Sequence, residues 1–262
     1  MRTEIINKLE TAWAGRACLC FDTLESTNDY AKTFAKHTSV HGTLIVADTQ
    51  TAGKGRRGRV WQSPKGSTIS MSLCLEPKLP ADRVAGLTLV MALAVAETIH
   101  QLAGVNAQIK WPNDIVLNDK KICGILTEMS FVDDRYVVII GAGINVNTED
   151  FPEEIKEIAS SLRKETGESF SRETLIAGVM KWFEIYYEQY IRTEDLSLLK
   201  ERYENLLINK SREVQVLDPK GMYTGVAKGI TKEGNLVVVC PDGTEQEIYS
   251  GEVSVRGLYG YV

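Results

Sequence analysis

Residues 108–129 read QIKWPNDIVLNDKKICGILTEM, and their interpretation decides the fold class. Gln108 to Lys110 is short and strand-like before Pro112, while DIVL (114–117) and KICGILTEM (121–129) form two strands joined at Asn118-Asp119, a tight-turn pair. Lys110, at the end of an apolar strand, must snorkel to water or meet an anion. The plainer alternative for its neighbours is that Trp111 and Pro112 pack at a sheet edge. Gly124 marks a bulge or a place where a ligand lies against backbone.

Moving outward, the β-branched run TLIVA (43–47) predicts a buried strand, and Thr68 to Leu75 a second one ended by Pro77. Pro80 and Asp82 introduce a long helix to about Ala103, with Leu87, Met91 and Val95 one turn apart and Gly104 as its stop. Tyr136 to Ile140 predicts another strand leading into Gly141-Ala142-Gly143, read as a turn or a second close-approach site. Strands with few helices between them imply an α+β layer on a largely antiparallel or mixed sheet. Between Ser171 and Leu207 the spacing of Leu175, Val179, Trp182, Phe183 and Tyr186 is helical. After Lys210 come VQVL, GVAKGI, NLVVVC and QEIYS, separated by turn signals at 218–221, 233–235 and 241–243. These define a small C-terminal β-barrel or sandwich, so the expected division is 1–210 and 211–262.

Composition narrows the function. The chain has 262 residues, 44% hydrophobic and 25% charged, which is the range of folded proteins. Val84 to Ala96 is too short to span a bilayer and predicts a core helix; Arg2, Glu4, Lys8 and Glu10 interrupt any signal-peptide core. The expectation is a cytoplasmic protein with no membrane partner. Cys18, Cys20, Cys74, Cys123 and Cys240 show no C-x-x-C or C-x-x-H spacing, and His37, His41 and His100 are the only histidines. Neither a disulfide framework nor a zinc site follows, and any metal ligands stay unknown. A net charge of −5 gives no bulk attraction for nucleic acid.

Against that acidic background, Gly53-Lys54-Gly55-Arg56-Arg57-Gly58-Arg59 places four cations among three glycines just after a strand. Glycines admit close backbone approach and guanidinium groups clasp phosphate or carboxylate bidentately, so the loop is an anion clamp or, equally, a solvated surface loop. It satisfies G-x-G-x-x-G, but Val60-Trp61-Gln62-Ser63-Pro64 prevents the helix a dinucleotide fold requires. No H-R-D or D-F-G follows, which excludes a kinase, and Lys54 precedes Gly55 rather than the Ser or Thr of a Walker A loop. Ser26-Thr27-Asn28-Asp29 matches a capping box, an ordinary helix start, with a ligand-gripping polar corner as the alternative.

Taken in order, STN (26–28), ADTQTAGKGRRGRVW (47–61), KWPND (110–114), KICGILTE (121–128), GAGINVN (141–147) and SGEVSVR (250–256) resemble the biotin protein ligase family. The resemblance implies a class II aminoacyl-tRNA synthetase-like catalytic domain with a mixed sheet and a C-terminal SH3-like barrel. It also implies two half-reactions, in which biotin and Mg-ATP give biotinyl-5′-AMP and an acceptor lysine then takes the biotinyl group. In that reading Lys110 and Arg56 are catalytic. Ser26, Thr27, Asn28, Gln50, Gly53, Lys54, Arg56, Lys110 and Gly124 meet biotin, and Arg56, Arg57, Arg59, Trp61, Asn113 and Asn145 meet the adenylate. Lys54 stands where the family's loop often carries arginine, and the aromatic residue that stacks on adenine in some members is not placed by sequence. The implied cofactors are ATP and Mg2+, and the implied partner is a biotin carboxyl carrier protein, as in acetyl-CoA carboxylase. The catalytic pattern begins within about twenty-five residues, so no helix-turn-helix and no sequence-specific DNA binding are expected; monomer and homodimer both stay open. The alternatives are a lipoate or octanoate ligase, which a different lysine context would mark, a nucleic-acid module, which the acidic residues Asp218, Glu233, Asp242, Glu245, Glu247 and Glu252 oppose, and a non-catalytic biotin sensor.

Overall fold

Two short hydrophobic stretches frame the first helix and strand, which the sequence patterns did not single out: α1 (Arg2–Lys8) and β1 (Cys18–Leu24). The computed structural model describes residues 1–132, 134–218, 221–250, 254–257 and 261–262. Pro219 and Lys220 of one expected turn, and residues 251–253 of the SGEVSVR match with Glu252 among them, lie outside the described residues.

Next come α2 (Thr27–Ala35), β2 (Leu44–Gln50) and β3 (Thr68–Leu75). The helix expected from Pro80 starts later than predicted. Ala81–Arg83 forms a 3₁₀ turn, and the regular helix α3 (Gly86–Ala103) follows, ending at Gly104 with φ 66° in the left-handed region that glycine tolerates. By length and composition Ala81–Ala103 could cross a membrane, but 72% of its apolar window is buried inside the protein. It is the core helix that the sequence predicts.

Strands β4 (Gln108–Lys110), β5 (Asp114–Leu117), β6 (Lys120–Val132) and β7 (Arg135–Asn145) complete the first sheet. Asn118 and Asp119 both have positive φ, 50° and 62°, as a two-residue hairpin turn requires. The sheet order is β1-β2-β3-β7-β6-β5-β4, with β1 parallel to β2 and every other neighbouring pair antiparallel. Gly141-Ala142-Gly143 is not a turn; it pairs in register with β3 and β6 and prolongs β7 to Asn145.

After α4 (Leu162–Thr166), the expected helical segment divides into α5 (Arg172–Thr193) and α6 (Lys200–Leu206), because Glu194 turns left-handed at φ 57°. Ser171 caps α5 by accepting from Thr174 N at 3.2 Å. Then β8 (Glu213–Asp218), β9 (Gly221–Ile230), β10 (Leu236–Val239), β11 (Glu245–Ile248) and β12 (Ser254–Gly257) form an antiparallel sheet in the order β11-β10-β9-β8-β12.

Strand alternation sorts the first sheet's two faces. Ile69, Met71, Leu73 and Leu75 of β3, with Val138, Ile140, Ala142 and Ile144 of β7, join the main core with Leu89, Leu93 and Ala96 of α3 and Val179 and Phe183 of α5. On the other face Cys74, Val137 and Ile139 pack with Ala31 and Ala35 of α2. Further along that second face the apolar residues give out, and a site begins.

The small sheet is fastened to the first. Trp111, 1% exposed, donates its indole N–H to Gly234 O at 2.9 Å and its backbone N–H to Asn209 Oδ1 at 2.9 Å. Trp111 therefore does more than pack at an edge. Glu204 accepts from Ile230 N at 3.1 Å close by.

Phe183 is fully buried, stacked on Tyr187 at 5.7 Å and edge-on to Trp13 at 6.5 Å. Phe183→Ala is expected to lower unfolding stability by about 3–5 kcal/mol. Urea titration followed by circular dichroism measures it, and a loss below about 1 kcal/mol would contradict the core assignment.

Candidate active site

The second face of the first sheet carries small or polar residues where the site lies: Ser70 and Ser72 on β3, Gly141 and Gly143 on β7, and Gly124 on β6, which faces Gly143 in register. A Cβ on Gly141 would come within 2.4 Å of Asn28 Oδ1, and one on Gly143 within 2.3 Å of the Trp61 indole. Both side chains therefore lie directly on strand backbone, which only glycine permits. The close-approach alternative for these glycines is the one realised.

Around this floor the start of α2 contributes a fully bonded polar corner. Ser26 Oγ accepts from Asp29 N at 3.4 Å, so Ser26 is the helix cap, and it lines the pocket as well. Thr27 donates through its backbone N–H to Gln50 Oε1 at 2.8 Å, and Ser72 Oγ donates to Asn28 Oδ1 at 2.6 Å while lying 2.7 Å from Thr27 Oγ1. Asn28 Nδ2 donates to Glu128 Oε2 at 2.8 Å, and Lys32 pairs with that carboxylate's other oxygen at 2.6 Å. Such closed networks hold their members in one rotamer. The result is a narrow pocket of about 50 Å³ with rigid donors and acceptors.

The glycine-rich loop folds back on itself. Lys54 and Val60 form an antiparallel bridge, Gly55 N donates to Arg59 O at 2.7 Å and Trp61 N to Gly53 O at 2.9 Å. Arg56–Gly58 makes one 3₁₀ turn, with Arg57 at φ 59°, and no helix follows. Lys54 leaves the clamp to pair with Asp29 Oδ2 at 2.6 Å. Arg56 points inward, donating Nη1 to Asn113 Oδ1 at 2.9 Å and Nη2 to Ser250 O.

A larger cleft of about 390 Å³ shares Gly55, Arg56, Trp61, Asn113 and Lys121 with the narrow pocket as a common wall. Its described lining holds Arg56, Arg57, Arg59, Lys110, Lys121 and Arg256 against Asp114, Asp150 and Glu154. Lys110 is 5% exposed; burial brings its ammonium down to about pKa 8, Asp114 opposes this, and Lys121, Arg256 and Arg59 push it further down. Burial works to raise Asp114, yet Lys121 at 2.7 Å and the Tyr261 hydroxyl hold it below the ordinary carboxylate range. The 148–159 segment adds apolar lining through Phe151, Pro152, Ile155 and Ile158. A flat apolar group beside a cluster of anionic charges is the shape and charge such a cleft accommodates.

The sequence-predicted residues separate between the two spaces. Ser26, Thr27, Asn28, Gln50, Lys54, Arg56 and Gly124 line the narrow pocket, and Arg56, Arg57, Arg59, Trp61, Asn113 and Asn145 line the cleft. Two of the expected biotin residues lie outside the lining of the narrow pocket. Lys110, the last residue of β4, lines the cleft. Gly53 lines neither; it is buried against the Trp61 backbone, where a Cβ would meet Trp61 O at 2.4 Å. Sequence reading missed Lys121, Asp114, Phe151, Arg256 and Tyr261 as lining residues. Lys121 and Asp114 stood inside quoted motifs, whereas Phe151 and Tyr261 carried no local signal.

This pairing of a polar pocket with a cationic cleft falls within a known class of protein ligases. Residues 20–145 match the biotin/lipoate A/B protein ligase family and residues 212–256 the biotin protein ligase C terminal domain. The bifunctional ligase/repressor BirA of Bacillus subtilis is 40% identical over 256 residues, 97% of this chain and 78% of that protein. The biotin–[acetyl-CoA-carboxylase] ligase of Mycobacterium tuberculosis is 28% identical across 80% of this chain and 79% of its own. Among solved structures, the biotin protein ligase from Aquifex aeolicus in complex with biotin and ATP superposes with a TM-score of 0.83 at 31% identity, covering 92% of this chain and 99% of that one. The chain belongs to the biotin protein ligase family. Its architecture is the expected α+β arrangement, a class II aminoacyl-tRNA synthetase-like domain with a mixed sheet followed by a small SH3-like antiparallel module.

Gly143→Ala should drive the Trp61 indole off the sheet and weaken biotin binding roughly tenfold or more, about 1.4 kcal/mol. Calorimetric titration with biotin tests this; unchanged affinity would mean that Trp61 is no part of the working wall.

Proposed function

We propose that the protein activates biotin with ATP and transfers it to a lysine of a carboxylase carrier domain. The observation that carries this reading is the common wall: Arg56 belongs to both the polar pocket and the cationic cleft, and Lys110 lies in the cleft beside it. In the first half-reaction a biotin carboxylate oxygen attacks the α-phosphorus of ATP and pyrophosphate leaves, giving biotinyl-5′-AMP. In the second, an acceptor lysine amine attacks the acyl carbon, and AMP departs.

The chemistry demands fixed cations because two anions must meet. We assign Lys110 to the reacting carboxylate and α-phosphate, and Arg56, Arg57 and Arg59 to the phosphates. Ser26, Thr27, Asn28, Gln50 and Gly124 hold the biotin head in the pocket. Asn113, Asn145 and Trp61 border the adenylate. Lys54, committed to Asp29, shapes the loop and makes no direct contact in this scheme. The catalytic unit comprises residues 1–210 and the SH3-like unit 211–262.

ATP enters as its magnesium complex. Asp150 and Glu154 supply hard oxygen donors along the cleft, and among the described residues no group of three or more His, Cys, Asp or Glu side chains clusters as a metal cage. That suits an ion carried mainly by phosphates and water. The acceptor we expect is a biotin carboxyl carrier domain of an acetyl-CoA carboxylase or related enzyme. All five cysteines are free, in keeping with a reducing, cytoplasmic setting.

Biotin-dependent ATP–pyrophosphate exchange is the deciding assay, and absence of exchange by the purified protein would sink the reading. Lys110→Ala and Arg56→Ala should each lower the exchange rate about 10²–10³-fold. Lys110 works as a cation and its ammonium titrates at about 8. Its charge is therefore present below that pH and lost above it, so the exchange rate should fall as pH rises through about 8, a limb that Lys110→Arg should move upward.

Residues 53–65 carry like charges on glycines, and ligand anions should tighten them further. Amide exchange in that segment is expected to slow on adding biotin and ATP; unchanged exchange would contradict the clamp.

A further inference from the structure

Tyr261 lies outside every quoted motif, yet it lines the cleft. Its ring covers the Lys110 ammonium at 3.7 Å, and its hydroxyl donates to Asp114 Oδ2. The other oxygen of Asp114 takes Lys121 Nζ at 2.7 Å. Lys110 and Asp114 are the first and last residues of KWPND and face each other in register across β4 and β5.

Lysine is a point charge on a flexible four-carbon stem, so its aim must come from its surroundings. Asp114, 8% exposed, is the nearest rival for that charge. A direct ion pair with Asp114 would draw the ammonium back toward the sheet and weaken its pull on an incoming anion. The Tyr261 hydroxyl and Lys121 divide the two carboxylate oxygens between them, and the ring presents a π-face worth about 0.5–2 kcal/mol to a cation in place of a carboxylate.

We propose that Tyr261 is a positioning residue for biotin activation: its hydroxyl keeps Asp114 occupied while its ring holds the Lys110 ammonium toward the cleft. The inference rests on the assignment of Lys110 given above. Around Lys110 the charged groups are Asp114 of β5, Lys121 of β6, Arg59 of the loop and Arg256 of β12. Removing the Tyr261 hydroxyl frees a carboxylate oxygen for Lys110, which favours the ammonium and raises its pKa.

The test is ATP–pyrophosphate exchange by the full chain as a function of pH, for the wild-type protein, Tyr261→Phe and Tyr261→Leu, with biotin affinity and urea midpoint measured alongside. Tyr261→Phe should lower kcat about 3–10-fold and move the alkaline limb upward, with the KM for ATP changed less than about threefold. Tyr261→Leu, which loses the ring too, should lower kcat about 10–100-fold, in the range that misaimed catalytic groups cost. A Tyr261→Phe limb that stays in place, or a kcat that stays at the wild-type value, overturns the proposal even if Tyr261→Leu fails to fold. A lower KM for ATP in either variant also overturns it, by marking the ring as an obstruction. Wild-type protein without exchange would instead remove the reading on which the inference rests.

Discussion

Strands β3, β6 and β7 are covered on both sides, and alternate residues must satisfy two different neighbours. One set is almost wholly apolar because α3 and α5 lie on it, with Thr127 of β6 bonded to Thr88 of α3 at 2.8 Å. The other set changes along its length, from Val137 and Ile139 under α2 to Gly141, Gly143 and Asn145 under the ligand spaces. The core face holds the strands in one register, and a slip by one residue would exchange the two faces. The small pocket therefore takes its precision from packing that never touches a ligand.

Charge is the second organising constraint. Like cations do not gather in a cleft without restraint, and here each is held by a different element: Arg56 by Asn113 and the Ser250 carbonyl, Lys121 by Asp114, Lys110 by the end of β4. Burial is the first cause of the lowered Lys110 titration, and Lys121, Arg256 and Arg59 lower it further against the opposing pull of Asp114. An anion arriving there gains from every one of these arrangements at once.

Much of this was legible in the residues. Apolar runs with turn signals marked β3 and β5 to the residue and the start of β6, which continues three residues past the expected Met129 to Val132, and Asn118-Asp119 declared the hairpin by chemistry alone. Short elements with weak patterns, α1 and β1, escaped notice, since their hydrophobic residues become informative only when a partner element is known. Glycines misled in the opposite direction. Gly141 and Gly143 look like punctuation in a sequence, but their lack of a Cβ is needed in mid-strand, beneath Asn28 and Trp61. Of the site, the local motifs showed what lies on adjacent strands and the loop. Residues brought in from afar, such as Phe151 and Tyr261, depend on tertiary distance and leave no trace in local spacing.

The indole bond from Trp111 to Gly234 gives the second module a stake in the first. Trp111 adjoins Lys110, and the turn it grips joins β9 to β10 of the small sheet, while the Arg56 guanidinium is tied to Ser250, just after β11. The two modules thus share the walls of one chamber, and neither half encloses it alone. Exchanging the terminal module for that of a distant relative would remove Val255, Arg256 and Tyr261 from the wall of the larger cleft and the Ser250 anchor from Arg56, so domain grafting in this chain rebuilds the cleft as much as it changes an appendage.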